Sequence, residues 1–115
     1  MNEPTASAPR EREAGFLQAL AHPVRLQILG MLSEGELCVC EIEPHLDLDQ
    51  STVSRHLQVL KREGIVKARK DGTRVLYRLA HPRVLRLRRL VSECVRARAK
   101  EQLADLKALA SGERP

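Results

Sequence analysis

The sequence lacks tryptophan and has only one phenylalanine and one tyrosine among its 115 residues. Hydrophobic residues still make up 43% of the chain, so its core must be built from aliphatic side chains. No apolar run approaches the roughly 18 residues that a membrane-spanning helix needs. The amino terminus has neither the basic start nor the apolar centre of a secretory signal. These absences predict a single cytoplasmic domain with no membrane partner.

Cysteine is also scarce, with three residues in all, Cys38, Cys40 and Cys94. Without a secretory signal, we expect them to be reduced thiols. The sequence contains no phosphate-binding loop, no acid pair and no oxyanion motif. An enzyme needs a nucleophile, a base and a group that orients them. We therefore predict that the protein is not an enzyme.

The net charge of +5 is unevenly distributed along the chain. Residues 1–49 hold 3 Lys or Arg against 9 Asp or Glu, a net charge of −6. Residues 50–80 hold 8 against 2, a net +6, and residues 81–115 hold 9 against 4, a net +5. A basic second half is typical of a surface that neutralises phosphates, although charge runs are usually only solvated surface.

The stretch Gln50–Gly64 has the strongest pattern in the chain. Its apolar residues recur at helical spacing, while Asp49 stands at the N-cap position and Gly64 at the C-terminal stop. Polar side chains on the opposite face can reach base edges and phosphates in a major groove. The alternative is the solvated face of an ordinary amphipathic helix. The candidate DNA-binding residues here are Gln50, Ser51, Thr52, Ser54, Arg55, Gln58 and Lys61.

The residues before this helix predict an arm and three shorter helices. Residues 1–12 have little to bury and predict a loose or disordered arm. We expect helices over Ala14–Leu20, from Pro23 to a stop at Gly35, and over about Val39–Leu46. The last of these and the Gln50–Gly64 helix, joined by a short turn, match a helix-turn-helix.

After Gly64 the period changes to that of strands. Residues 65–70 and 73–79 are extended in character, and Asp71-Gly72 between them suits a tight hairpin turn. A hairpin with a basic tip directly after a helix-turn-helix is typical of a wing that lies along the DNA backbone or enters the minor groove. The alternative is a plain solvent-exposed hairpin. The candidate DNA-binding residues of this wing are Arg69, Lys70 and Arg74.

The helical period returns at Pro82 and lasts to about Ala110. Its apolar seam has no obvious partner in the chain, which favours pairing with the same helix of a second copy over packing on the domain. The predicted fold is therefore mainly α with a small β-hairpin, a winged helix-turn-helix of order α-α-α-α-β-β-α. We expect a homodimer formed through the terminal helices, with residues 13–110 as the domain and 111–115 as a flexible tail. Such a dimer presents two reading helices to double-stranded operator DNA.

Three segments of the chain carry a resemblance to a known family. They are Leu20–Leu29 (LAHPVRLQIL), Glu36–Ile42 (ELCVCEI) and Gln50–Leu57 (QSTVSRHL). Together they resemble the ArsR/SmtB repressors, within a similarity that extends over about residues 14–95. The resemblance implies a dimeric winged helix-turn-helix that represses a resistance operon until an inducer binds. The Glu-Leu-Cys-Val-Cys segment resembles the trivalent-arsenic and antimony sensors, which implies that Cys38 and Cys40 are inducer ligands.

Soft thiolates select such ions, but cysteines at i and i+2 point about 200° apart on a regular helix. Both can therefore bind one ion only if the backbone is extended or distorted there. Many arsenic sensors carry a third cysteine where this chain has Glu43, so either two sulfurs suffice or Cys94 supplies the third. The alternative for Cys94 is a small buried hydrophobe. We expect inducer capture to bend the start of the third helix and displace the reading helices.

Other members of the resembled family bind metals through residues that this chain lacks. The zinc sensors use His and acidic residues on the last helix, where no His follows His81, so no zinc site is recognised. The cadmium and lead sensors often have cysteines in the amino-terminal arm, and this arm has none. Another soft-metal sensor on the same fold stays open, as does a thiol redox or persulfide sensor that joins Cys38 or Cys40 to Cys94.

Overall fold

A computed structural model of the protein describes residues 4–112. Within this range it contains five α-helices and three β-strands, in the order α1-α2-β1-α3-α4-β2-β3-α5. The chain divides into two compact units at the junction of Pro82 and Arg83. No helix in the described part is long and apolar enough to cross a membrane. The predicted fold, mainly helical with a small β-hairpin, is confirmed, and a third strand, β1, adds to the hairpin to make a three-stranded sheet.

The first helix, α1, spans Pro4–Leu20 and begins ten residues before the predicted start at Ala14. The expectation of a loose arm is therefore wrong for residues 4–12, while residues 1–3 lie outside the described range. Five of the nine residues 4–12 are alanine, arginine or glutamate, which are strong helix formers. Pro9 lies inside the helix, where a proline is normally unfavourable.

The second helix, α2, spans Pro23–Met31 and ends in a 3₁₀ turn, Leu32–Glu34. Gly35 follows with a φ of 144°, which favours glycine. The predicted stop at Gly35 is thus confirmed.

Strand β1, Leu37–Cys38, was not predicted. A two-residue strand gives no periodic signal, and the tertiary structure alone reveals it. Helix α3 spans only Val39–Ile42, and the residues predicted to continue it form a 3₁₀ turn, Glu43–His45. Pro44 lies in that turn and lacks the amide that a longer α-helix would need.

Helix α4 spans Gln50–Arg62 and supplies the centre of the core. Val53, Leu57 and Leu60 are fully buried, as their spacing predicted. They share the core with other aliphatic side chains, and those with almost no exposure are Ile28, Leu29, Ile42, Ile65 and Val66. The expectation of an aliphatic core is confirmed.

Strands β2, Val66–Asp71, and β3, Arg74–Leu79, form the predicted hairpin. Asp71 pairs with Arg74, so the turn residues are Gly72 and Thr73 and the predicted turn at Asp71-Gly72 is wrong by one residue. Gly72 has a φ of 67°, and every positive φ in the described chain belongs to a glycine. β3 is the central strand because β1 pairs with its other edge.

The second unit consists of helix α5, Arg83–Ala110, and the residues after it. Both ends agree with the prediction from the helical period. Several large apolar side chains of α5 are more than half exposed, namely Leu90, Val91, Val95, Leu103, Leu106 and Leu109. Ser111 and Gly112 form a turn, and the rest of the predicted tail lies outside the described residues.

Candidate nucleic-acid interface and thiol site

The start of α4 is fixed by the predicted N-cap. The Asp49 carboxylate accepts hydrogen bonds from the Thr52 amide, at 2.8 Å, and from the Ser51 hydroxyl, at 3.2 Å. The hydrogen bonds from Thr52 and then Ser51 lower the pKa of the Asp49 carboxyl. Asp49 is therefore charged at neutral pH, and it satisfies an amide of the first turn that has no partner within the helix.

The polar face of α4 forms a shallow depression of about 570 Å³. Five of the predicted DNA-binding residues line it together, namely Gln50, Ser51, Ser54, Arg55 and Gln58. Thr52 is half-buried and Lys61 is exposed nearer the end of the helix, and neither lines the depression. The depression presents amides, hydroxyls and a guanidinium, which are the groups that contact base edges and phosphates.

Tyr77, which no motif in the sequence marked as a functional residue, touches this face. The Gln58 side-chain amide donates a hydrogen bond to the hydroxyl of Tyr77 on β3, at 3.4 Å. Tyr77 is 5% exposed, so its hydroxyl approaches α4 from the buried side. As the only tyrosine in the chain, it gave no pattern from which this contact could be inferred.

Two of the three candidate cations of the hairpin have no short ion pair within the described residues. Lys70 and Arg74 are exposed, and Arg74 makes only a long ion pair with Asp71, at 3.5 Å. Arg69 instead donates three hydrogen bonds to the Glu36 carboxylate, at 2.7 to 3.1 Å. Arg78 is a further 3.9 Å neighbour of Glu36.

The Glu36 contact changes both partners. The hydrogen bond from Arg69 lowers the pKa of the Glu36 carboxyl, and the same bond raises the pKa of Arg69. Both groups remain charged at neutral pH. The guanidinium of Arg69 is thus already bound to a carboxylate of its own chain, a contact that the sequence did not predict.

Cys38 and Cys40 converge where β1 passes into α3. Cys38 is the N-cap of α3, with extended backbone angles of φ −85° and ψ 165°, and Cys40 lies in the first turn. This break in the helix is the distortion that two cysteines at i and i+2 need. Their Cα atoms are 5.2 Å apart and their sulfurs are bonded to each other, so the expectation that both are free thiols does not hold for this structure.

The two sulfurs differ in access. Cys38 is 2% exposed, whereas Cys40 is exposed. The Cys38 amide donates to the Glu41 carboxylate at 2.9 Å, which completes a capping box. The site therefore has a sheltered Cys38, whose amide is bound by Glu41, and an exposed Cys40.

The third cysteine and the histidines are other residues of the chain that could bind a soft metal. Cys94 lies on α5 and is exposed in the single chain, so its two expected roles, a third ligand or a small buried hydrophobe, both stay predictions. His22 caps α2 by accepting the Val24 amide, and the Arg25 guanidinium donates to His56 at 3.1 Å. Within residues 4–112 no group of three or more His, Cys, Asp or Glu side chains is arranged to hold a metal ion.

Comparison with known proteins agrees with this geometry. Residues 22–68 match the family model described as bacterial regulatory protein, arsR family. An HTH-type transcriptional regulator of Methanocaldococcus jannaschii is 45% identical over 84 residues, which cover 72% of this chain and 94% of that protein. The arsenical resistance operon repressor of Staphylococcus xylosus is 42% identical over 66 residues, which cover 57% of this chain and 64% of that protein.

A solved structure has the same fold. The homodimeric winged helix-turn-helix DNA-binding domain Mb0332 from Mycobacterium bovis superposes with a TM-score of 0.74 at 37% identity. The superposition covers 88% of this chain and 93% of that domain.

Proposed function

Since the chain belongs to the ArsR family of bacterial regulatory proteins, we propose that it is a transcriptional repressor controlled by trivalent arsenic or antimony. In this proposal the two thiolates of Cys38 and Cys40 bind the inducer and thereby release operator DNA. One observation carries the inducer assignment. The backbone is extended at Cys38 and becomes helical at Val39, and this change places the sulfurs of Cys38 and Cys40 next to each other.

The chemistry of the site supports a thiophilic ligand. Soft thiolates select soft ions over hard ones, and after reduction of the disulfide both sulfurs are free to bind. The open Cys40 would meet the inducer first, and the sheltered Cys38 would close the chelate. The Staphylococcus xylosus relative, named an arsenical resistance operon repressor, points in the same direction.

The DNA-binding face is assigned to α4 and the hairpin. We assign base and phosphate contacts to the residues that line the α4 depression, with Thr52 and Lys61 as further contacts of the same helix. Lys70 and Arg74 at the hairpin tip are placed to neutralise phosphates. Operator-bound protein would lie with the chromosome in the cytoplasm.

Release follows from the packing of the thiol site. Helix α3 contacts α4, and β1 pairs with β3, which also contributes the hairpin strand. A ligand that changes the backbone geometry between Cys38 and Cys40 would therefore displace α3 and β1. These two elements contact α4 and β3, which belong to the proposed DNA-binding face. The two states of the protein would bind DNA with different affinity, which is what coupling between two sites requires.

A second copy would cover the apolar side chains of α5. Six large apolar side chains of this helix are more than half exposed, and the similar Mycobacterium bovis domain is homodimeric. A two-fold dimer would present two reading helices about one DNA turn apart. Cys94 of either copy would be available as a third sulfur, and a Cys94→Ser variant that keeps normal induction would show that two sulfurs suffice.

The direct test is operator release titrated with arsenite, antimonite, cadmium, zinc and an organic persulfide. It requires the wild type and the variants Cys38→Ser, Cys40→Ser and Cys94→Ser, each kept reduced. We expect arsenite and antimonite to release wild-type protein, and the first two variants to stay bound at the same concentrations. Release of both variants at wild-type concentrations would refute the assignment of the inducer site.

The bonded sulfurs favour one second candidate, a thiol redox sensor. Oxidation of Cys38 and Cys40 to a disulfide removes both thiolates and closes a short ring at the start of α3. A disulfide-forming oxidant added to the operator complex distinguishes the two functions. Release by the oxidant without arsenite, reversed by dithiothreitol, would support the redox sensor.

A further inference from the structure

The Gln58 amide on α4 is held from behind by a residue of the sheet. Tyr77 occupies the middle of β3, where its backbone is in register with Leu37 on one side and Ala68 on the other. Because the ring is buried among packed neighbours, the hydroxyl has a fixed position. Gln58 is exposed and donates one of its two amide hydrogens to that hydroxyl, at 3.4 Å.

This contact fixes the position of the amide, not which of its two polar atoms faces the sheet. A tyrosine hydroxyl both donates and accepts, so it can pair with either the N–H or the oxygen of the amide. With one N–H directed at Tyr77, the other N–H and the carbonyl oxygen of Gln58 point away from the sheet. If the amide is turned over, its carbonyl oxygen accepts from the Tyr77 hydroxyl instead, and the outward edge again offers one N–H beside the oxygen.

The remaining donor and acceptor match one base edge. In the major groove adenine offers the N7 acceptor and the N6 donor, and a side-chain amide pairs with both at once. Resting on the assignment of α4 as the DNA-reading helix, we propose that Tyr77 is a positioning residue that locks Gln58 to read an adenine. Tyr77 itself does not touch the DNA in this arrangement.

The test is selection of binding sites from a random duplex library by the full-length protein. The variants are Tyr77→Phe, Gln58→Ala and the double variant, each checked for its melting temperature. We expect the wild type to select adenine at one position of each half-site. Tyr77→Phe should lower that preference by about 2- to 12-fold, the fold-change of one ordinary hydrogen bond, and should leave other positions unchanged.

Two controls separate positioning from folding. In the double variant the adenine preference should be no lower than in Gln58→Ala alone, because both changes remove one interaction. Lys61→Gln, which removes an exposed cation from the same helix, should weaken all sequences alike. Gln58 is exposed, so Gln58→Ala keeps the fold even if Tyr77→Phe is less stable.

The outcomes are distinct. An adenine preference that is unchanged in Tyr77→Phe would overturn the positioning role. So would a loss of base preference that is equal at every position of the site. If Gln58→Ala does not reduce an adenine preference at any position of the selected site, the assignment of adenine to Gln58 is overturned. A wild-type protein that selects no sequence at all would instead contradict the proposed function.

Discussion

Glu36 and Arg69 lie 33 residues apart in the chain and meet as a two-pronged ion pair, with three nitrogen to oxygen distances of 2.7 to 3.1 Å. Glu36 directly precedes β1 and the thiol site, whereas Arg69 belongs to the hairpin strand β2. The pair therefore connects the segment proposed to bind the inducer with the hairpin proposed to bind DNA.

The ion pair predicts unequal effects for neighbouring hairpin cations. Arg69→Gln should change DNA affinity little, because the Arg69 guanidinium is already bound to Glu36. Lys70→Gln is the matched control, since no ion pair within residues 4–112 engages Lys70. It should weaken binding and reduce the salt slope by about 0.9, the value for one phosphate contact. Affinity measured against salt concentration checks both, and equal losses would show that Arg69 leaves Glu36 for the DNA.

Replacing Glu36, the acidic partner of Arg69, should strengthen DNA binding. Glu36→Gln frees the Arg69 guanidinium, so we expect tighter binding to any duplex at low salt and a steeper salt dependence. The measurement is the affinity for a non-operator duplex at several salt concentrations. A variant that binds as the wild type does, with the same slope, would mean that the freed cation does not reach phosphate.

We expect the protein to lose stability in weak acid because of His56. Burial is the main cause that lowers the pKa of His56 below 6.5, and the charges of His22, Arg25 and Arg55 add to it. Because the folded-state pKa is depressed, the unfolded chain binds this proton first. Stability present above pH 6.5 should therefore be lost as the pH falls through the depressed folded-state pKa. Protonation at the Nδ1 atom would also remove the hydrogen bond that Arg25 donates.

Thermal melting between pH 8 and pH 5 checks this expectation. Part of the decline should disappear in His56→Gln, which cannot be protonated in this range. A variant whose melting temperature falls with pH as steeply as that of the wild type would assign the decline to other groups.

Leu57 should be a large contributor to stability. It is fully buried on α4, so Leu57→Ala leaves a cavity and should lower the free energy of unfolding by about 2 to 5 kcal/mol. Lys61→Ala on the exposed face of the same helix should change it little. Urea unfolding of both variants is the measurement, and a small effect at Leu57 would contradict the observed packing.

The exposed apolar side chains of α5 predict a concentration-dependent assembly. Val95 is 62% exposed, and Val95→Glu should convert a dimer into a monomer because the seam would then bury a charge. Arg96→Glu is a charge-changing control on a neighbouring position. Sedimentation equilibrium of both variants decides the matter, and a wild type that is monomeric at micromolar concentration would contradict the proposed dimer.

Long periodic segments could be predicted from the sequence, and short ones could not. Helix α4 and α5 were located correctly because their apolar spacing persists over several turns. Strand β1 has two residues and no period, so it depends on its pairing with β3. The hairpin turn was placed one residue early, because Asp71 and Gly72 both suit turns and only the pairing of Asp71 with Arg74 shows that Asp71 belongs to the strand.

The candidate site was also predictable only in part. The requirement for a broken helix between Cys38 and Cys40 could be stated from their spacing, and the structure has that break. The contacts of Arg69 with Glu36 and of Gln58 with Tyr77 join residues 33 and 19 positions apart. Such contacts depend on how the elements pack, and no local pattern in one sequence contains them.

Arsenite affinity of the reduced protein, measured with and without its operator, tests the central claim most directly. Coupling between two sites is reciprocal, so the factor by which arsenite weakens operator binding must equal the factor by which operator weakens arsenite binding. We predict equal factors of about 5- to 150-fold, the usual range for such coupling, and no coupling in Cys40→Ser. Equal arsenite affinity in the presence and absence of operator would contradict control of DNA binding by the Cys38 and Cys40 thiolates.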